Sequence, residues 1–145
     1  TQTTLSVDET KSIIKILKDR FPKIEVPKKD DICYATQNRQ DAVKQLALES
    51  DYMIVVGSKN SSNSNRLKEL GEKCGCDSVL IDEFSDLNLE DLKNCKTISI
   101  TAGASAPESR VMEIAKSLEN YFDAKLVESG HDNEDVYFKL PPGLR

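Results

Sequence analysis

The spacing of apolar and polar positions changes along the chain, and each change marks an element. Residues 6–20, "SVDETKSIIKILKDR", carry a helical period. Ser6 and Glu9 stand at capping-box spacing, and Ile13, Ile14, Ile16 and Leu17 form the predicted core stripe. "FPKIEVPKKDD" holds two prolines and a charge run and reads as a connector. "ATQNRQDAVKQLALES" returns to helical spacing, with Thr36 as the expected cap and Ala42, Val43, Leu46 and Ala47 as its buried side. "DYMIVVG" is an unbroken apolar run of strand length, which predicts a strand buried on both faces. "SNRLKELGEKCG" predicts a helix closing on Gly75. "DSVLID" predicts a short strand, and "NLEDLKN" a helical turn or short helix. "KTISITAG" predicts another buried strand, and "APESRVMEIAKSLENYF" a helix with Pro107 in its first turn. "DVYFKLP" predicts a last, edge-type strand stopped by Pro141.

From residue 30 to about residue 122 helices and strands alternate, which predicts an α/β fold: a small parallel sheet with flanking helices. Residues 1–29 do not fit that layer and read as the end of a preceding lobe and a connector. Residues 123–145 read as a C-terminal tail with a short strand. The length of 145 residues supports one ordinary domain core.

Parallel sheets bind ligands at the carboxyl ends of their strands, where loops run into helix N-termini. Two such loops here have unusual composition. "YMIVV" is followed by "GSKNSSNSNR", nine residues after a glycine with no apolar side chain; "TISI" is followed by "TAGASAP". A third stretch, "DDICYATQN", also runs into a helix start. Small residues, hydroxyls and free amides at a positive helix end are a way to hold phosphate without much formal charge. Ser and Asn are equally the residues of turns and helix caps, so any one of them alone has a purely structural reading. No Walker-type or dinucleotide glycine pattern is present.

Charge and cysteines narrow the choice. A net charge of −5 argues against broad nucleic-acid binding, so an anion site must be local. No apolar run approaches membrane-spanning length. Cys33, Cys74, Cys76 and Cys95 sit in a Lys/Glu-rich chain with a single histidine, His131. That favours a reducing cytosol and argues against a self-contained zinc site. Cys33 precedes a predicted helix. It reads equally as a small buried hydrophobe or as a thiol whose pKa the helix end lowers. Cys74, Cys76 and Cys95 lie away from the loop edge and read as structural.

Four blocks, "TQTTLS", "DDICYATQNRQ", "VVGSKNSSNSNRL" and "TAGASAPE", together resemble the C-terminal half of the LytB family, the 4-hydroxy-3-methylbut-2-enyl diphosphate reductases of the non-mevalonate isoprenoid pathway. The resemblance covers most of the chain and weakens after about residue 120. It implies one lobe of a three-lobed iron–sulfur enzyme. In that family three cysteines hold a [4Fe–4S] cluster, and an external donor of ferredoxin or flavodoxin type supplies electrons. Carried over by motif, Cys33 is one cluster ligand, Thr3 the hydroxyl beside the substrate oxygen, and Ser61, Ser62, Asn63 and Ser105 the diphosphate contacts. The other cluster cysteines and the proton donor belong to the family's N-terminal half, which this sequence lacks, so the chain alone is expected to be inactive. The alternative is a stand-alone diphosphate-binding α/β domain without catalysis. A zinc or disulfide domain built on Cys74, Cys76 and Cys95 fits the spacing worst.

Overall fold

A computed structural model of the chain describes residues 6–26 and 34–129. Thr3, Cys33, His131 and the expected strand at 135–141 lie outside them. Among the described residues, four helices and three strands follow in the order α1 (Val7–Arg20), α2 (Tyr34–Glu49), β1 (Tyr52–Val56), α3 (Ser62–Lys73), β2 (Asp77–Ile81), β3 (Ile98–Ala102) and α4 (Glu108–Phe122). Two short 3-10 turns, Phe84–Asp86 and Leu89–Leu92, join β2 to β3. The sheet is parallel in the order β2-β1-β3, so the most apolar run is the central strand.

That position explains its composition. Met53 and Val55 face one side and Ile54 and Val56 the other, and all four are buried. Met53 and Val55 pack with Val43 and Ala47 of α2 and with Leu67 and Leu70 of α3. Ile54 and Val56 pack with Leu87 and Leu92 of the 3-10 segment and with Ile114 and Leu118 of α4. The result is a three-layer sandwich with one core on each face. Gly75, at φ +88°, ends α3 in the left-handed conformation that the sequence predicts for it.

Several details differ from the sequence expectation, each for a local reason. Thr36 is not a cap: α2 runs from Tyr34, and Thr36 lies buried on its inner side with Gln40, Val43 and Ala47. Ala42 points to solvent. The α3 helix begins two residues earlier than expected because Ser61, not a later serine, caps it. Pro107 occupies the cap position of α4 rather than its first turn. Asp86 accepts hydrogen bonds from the backbone N–H of Asp82 and Glu83 at 3.0 and 3.1 Å, which folds the Phe84–Asp86 turn.

The largest correction concerns α1. Its capping box forms as predicted, with both reciprocal bonds between Ser6 and Glu9. The core stripe does not form: Ile13 is 47% and Ile16 65% exposed, Leu17 is also exposed, and only Ile14 is half-buried. Among the described residues, the helix is fastened chiefly by its first turn. Val7 N–H donates to Gln40 Oε1 at 3.0 Å, Asp8 pairs with Lys44 at 2.7 Å, and Glu9 meets Arg66 and Lys73 at 3.3 and 3.2 Å. The Lys44 hydrogen bond holds the Asp8 carboxyl below its usual range, and Lys73 with the Ser6 N–H does the same for Glu9. Depressed carboxyl pKa values contribute stability that is present above the ordinary carboxylate range and lost as pH falls through the folded values. The first turn of α1 is therefore expected to loosen below about pH 4. Amide exchange of Thr10 across that range is the check; unchanged protection at lower pH would assign the attachment to Val7 and Gln40 alone.

Candidate functional site

The β1 and β3 strands are neighbours, and their connections leave in opposite directions. From β1 the chain crosses to α3 on one face of the sheet; from β3 it crosses to α4 on the other. Such a reversal opens a crevice at the carboxyl ends of the two strands, the place where open parallel sheets take ligands. The two loops singled out in the sequence, 57–61 and 103–107, flank that crevice.

The first loop is braced from within. Asn60 N–H donates to Ser58 Oγ at 3.2 Å, and Ser61 N–H to Ser58 O at 2.9 Å. Asn65 reaches back from α3 with its amide N–H groups to Lys59 O at 2.8 Å and Ser61 O at 2.9 Å. Ser61 Oγ accepts from Ser64 N–H at 3.3 Å and so caps the helix. Ser62 and Asn63 are then the first residues of α3, where free amides and the helix dipole favour an anion. Ser62 is exposed at this end. Asn63 is the unusual one. Both its Nδ2 and its Oδ1 are buried, and neither has a hydrogen-bond partner among the described residues. A buried amide left unpaired on both sides is costly, and a ligand supplies the missing partners most directly.

The second loop is a tight turn. Ala106 N–H donates to Gly103 O at 3.0 Å, leaving Ala104 and Ser105 at its exposed tip. Ser61, Ser62, Asn63 and Ser105 thus gather along one edge on two neighbouring strand ends. Tyr34, the first residue of α2, lies toward the same edge, because α2 packs along the sheet and ends at Glu49, just before β1 starts. Cys33 and Thr3 are outside the described residues.

The remaining cysteines are at the opposite edge. Cys74 caps the end of α3, Cys76 precedes β2, and Cys95 precedes β3. The Cys76 thiol is buried, donates toward Ser50 O at 3.5 Å, and burial pushes its pKa up, with Asp77 adding to the effect. Burial also raises that of Cys95. Thiols held protonated in this way are poor nucleophiles and poor metal ligands. No group of three or more His, Cys, Asp or Glu side chains suited to a metal occurs among the described residues. Within those residues, no helix is long and apolar enough to cross a membrane.

Comparison with known proteins decides the family. A family model described as LytB protein matches residues 1–119. The chain belongs to the LytB family. Among curated relatives, the 4-hydroxy-3-methylbut-2-enyl diphosphate reductase of Saccharophagus degradans is 56% identical over all 145 residues, and that of Aeromonas salmonicida 53%. The chain spans about half the length of these LytB relatives, 47% of each. A solved LytB-type structure, the E-1-hydroxy-2-methyl-but-2-enyl-4-diphosphate reductase from Plasmodium falciparum, superposes with a TM-score of 0.86 at 37% identity. It covers 99% of this chain and 46% of that one. The small parallel sheet with flanking helices therefore matches part of that longer reductase chain.

Sequence reasoning missed two things at this edge. It placed Ser62 and Asn63 in a loop rather than in the first turn of α3, and it passed over Ser64, which is wholly buried beside Asn63. A serine two places beyond the first polar pair carries no local signal of burial. Its neighbours across the crevice decide it.

Proposed function

We propose that this chain is the diphosphate-holding, C-terminal half of a reductase that removes the hydroxyl of 4-hydroxy-3-methylbut-2-enyl diphosphate. The products are isopentenyl and dimethylallyl diphosphate. The reaction takes up two electrons and two protons; the C–O bond breaks, a C–H bond forms, and the oxygen leaves as water. The observation that carries the reading is the Asn63 amide, buried at the start of α3 with neither atom partnered among the described residues, in a chain of the LytB family.

In this reading the residues of the chain bind and orient. The amides of the first turn of α3, the hydroxyls of Ser61, Ser62 and Ser105 and the amide of Asn63 surround the diphosphate with directed donors. Much of a phosphate site's strength comes from such charge-assisted hydrogen bonds rather than from formal positive charge. Thr3 takes the role its motif has in the family, positioning or relaying a proton at the substrate oxygen. A [4Fe–4S] cluster, reduced by a ferredoxin- or flavodoxin-type donor, supplies the electrons. The described cysteines do not fit such a cluster, for the reasons of burial and place given above. Cys33 is the ligand this chain contributes, and the other two come from the N-terminal half, in the same or a separate chain. One cysteine cannot hold a cluster, so this half alone is inactive.

The exposed stripe of α1 supports that division. Ile13, Ile16, Leu17 and Phe21 form a continuous apolar side that nothing among the described residues covers. Residues 1–29 then belong to the preceding lobe, and α1 packs against it. With Ile16→Cys in the full-length enzyme, alkylation of the new thiol is expected to be at least about tenfold slower than in unfolded protein. Equal rates would remove α1 from the interface.

The test of the whole reading is turnover. Full-length enzyme prepared without oxygen is expected to carry about four iron atoms per active unit and to convert 4-hydroxy-3-methylbut-2-enyl diphosphate with a reduced donor. Iron-free protein that still binds inorganic pyrophosphate through Asn63 would instead favour the non-catalytic diphosphate-binding domain. Neither turnover nor pyrophosphate binding would overturn both.

A further inference from the structure

Ser64 lies between two glycines. A Cβ placed on Gly57 would overlap Ser64 Oγ and stand 3.0 Å from Ser64 Cβ. A Cβ placed on Gly103 would overlap the same oxygen and stand 3.3 Å from Ser64 Cβ and 3.7 Å from its Cα. Neither glycine has a positive φ, since Gly75 is the one described glycine that does. Both are therefore needed for room, not for conformation. Each also continues the sheet: Gly57 N–H donates to Ile81 O at 2.8 Å and Gly103 N–H to Val56 O at 2.9 Å. A single side chain on α3 thus rests against the ends of β1 and β3 together.

What it joins is specific. Ser64 sits one residue after Asn63, with its N–H held by the Ser61 cap at 3.3 Å. Gly103 opens the turn whose tip is Ser105. The Ser64 hydroxyl is fully buried and has no hydrogen-bond partner among the described residues, so hydrogen bonding does not account for its presence there. Its volume does: it fills the gap that two missing Cβ atoms leave, in an interior that tolerates neither overlap nor void.

We infer that Ser64 is a positioning residue, a spacer that fixes how far the Ser61–Asn63 turn stands from the Gly103–Ser105 turn and so sets the width of the cradle. The inference rests on the reading of this edge as a diphosphate site. It assigns Ser64 no contact with the substrate. Binding then depends on the summed bulk at positions 64 and 103, not on the hydroxyl.

A size-exchange cycle in the full-length enzyme tests it. Gly103→Ala overfills the gap and is expected to raise KM for the diphosphate substrate, and the inhibition constant of inorganic pyrophosphate, about tenfold or more. Ser64→Ala opens the gap and is expected to raise both about threefold. The double variant moves one heavy atom across the gap, and its KM is expected to return to within about threefold of wild type, with kcat changing less than KM throughout. A double variant as poor as the worse single variant, or singles that shift the unfolding midpoint without moving KM, would reduce Ser64 to ordinary packing. If the wild-type enzyme neither turns over nor binds pyrophosphate, the diphosphate reading falls instead. The unfolding midpoints of the four proteins then judge the spacing by themselves: non-cancelling shifts refute it.

Discussion

Cys33→Ser in the full-length enzyme is expected to abolish the visible absorption of an iron–sulfur cluster and to lower turnover by at least about three orders of magnitude. A serine hydroxyl stays protonated where a cysteine sits as thiolate, so one of three ligands is lost and the cluster is lost or distorted with it. The structure also limits rescue. Cys74, Cys76 and Cys95 gather at the amino edge of the sheet, while Tyr34, next in sequence to Cys33, lies toward the carboxyl edge. Burial further holds the Cys76 and Cys95 thiols protonated. Iron content and spectrum measured beside activity give the decision. Unchanged iron with an unchanged spectrum would sink the assignment of Cys33.

Asn63→Ala should separate stability from binding. Without ligand, both polar atoms of this amide are buried and have no partner among the described residues, so their removal is expected to leave the unfolding midpoint unchanged or slightly raised. With ligand, those atoms are expected to supply charge-assisted hydrogen bonds worth roughly 1–3 kcal/mol, about 5- to 150-fold in KM. Opposite signs in the two measurements are the signature. A side chain serving only the fold would move both the same way. Asn63→Asp keeps the shape and adds a negative charge, and is expected to weaken pyrophosphate binding more than alanine does. Unaltered affinity in both variants would remove Asn63 from the cradle.

Much of this molecule is legible in its sequence, and the illegible parts share a cause. β1, β2, β3 and α4 are written locally: a short apolar run bounded by turn residues, or a strong helical period after a proline. The α1 capping box is local too, and it forms. The burial of α1 is not local, because an apolar stripe announces that a partner exists without saying whether it lies in the same half of the protein. Thr36 fails for the same reason. Threonine favours caps, yet this one is taken into the inner side of a longer helix. At the site, the composition and place of the two loops favour an anion edge, and the LytB resemblance adds the diphosphate reading. Neither indicates that Gly57 and Gly103 are glycines on account of Ser64, since that requires knowing which residues meet across the crevice.

The strand order has a consequence for synthesis. Its central strand, β1, is made first; β2 arrives to cover one edge, and β3 covers the other only after roughly 40 further residues separate Val56 from Ile98. At about 5–20 residues per second, a ribosome takes about 2–8 s over that interval. For those seconds the most apolar strand of the nascent chain has an open edge and an uncovered face, the state most exposed to wrong pairing. The proposed anion edge, which needs the ends of both β1 and β3, cannot exist until the sheet has closed.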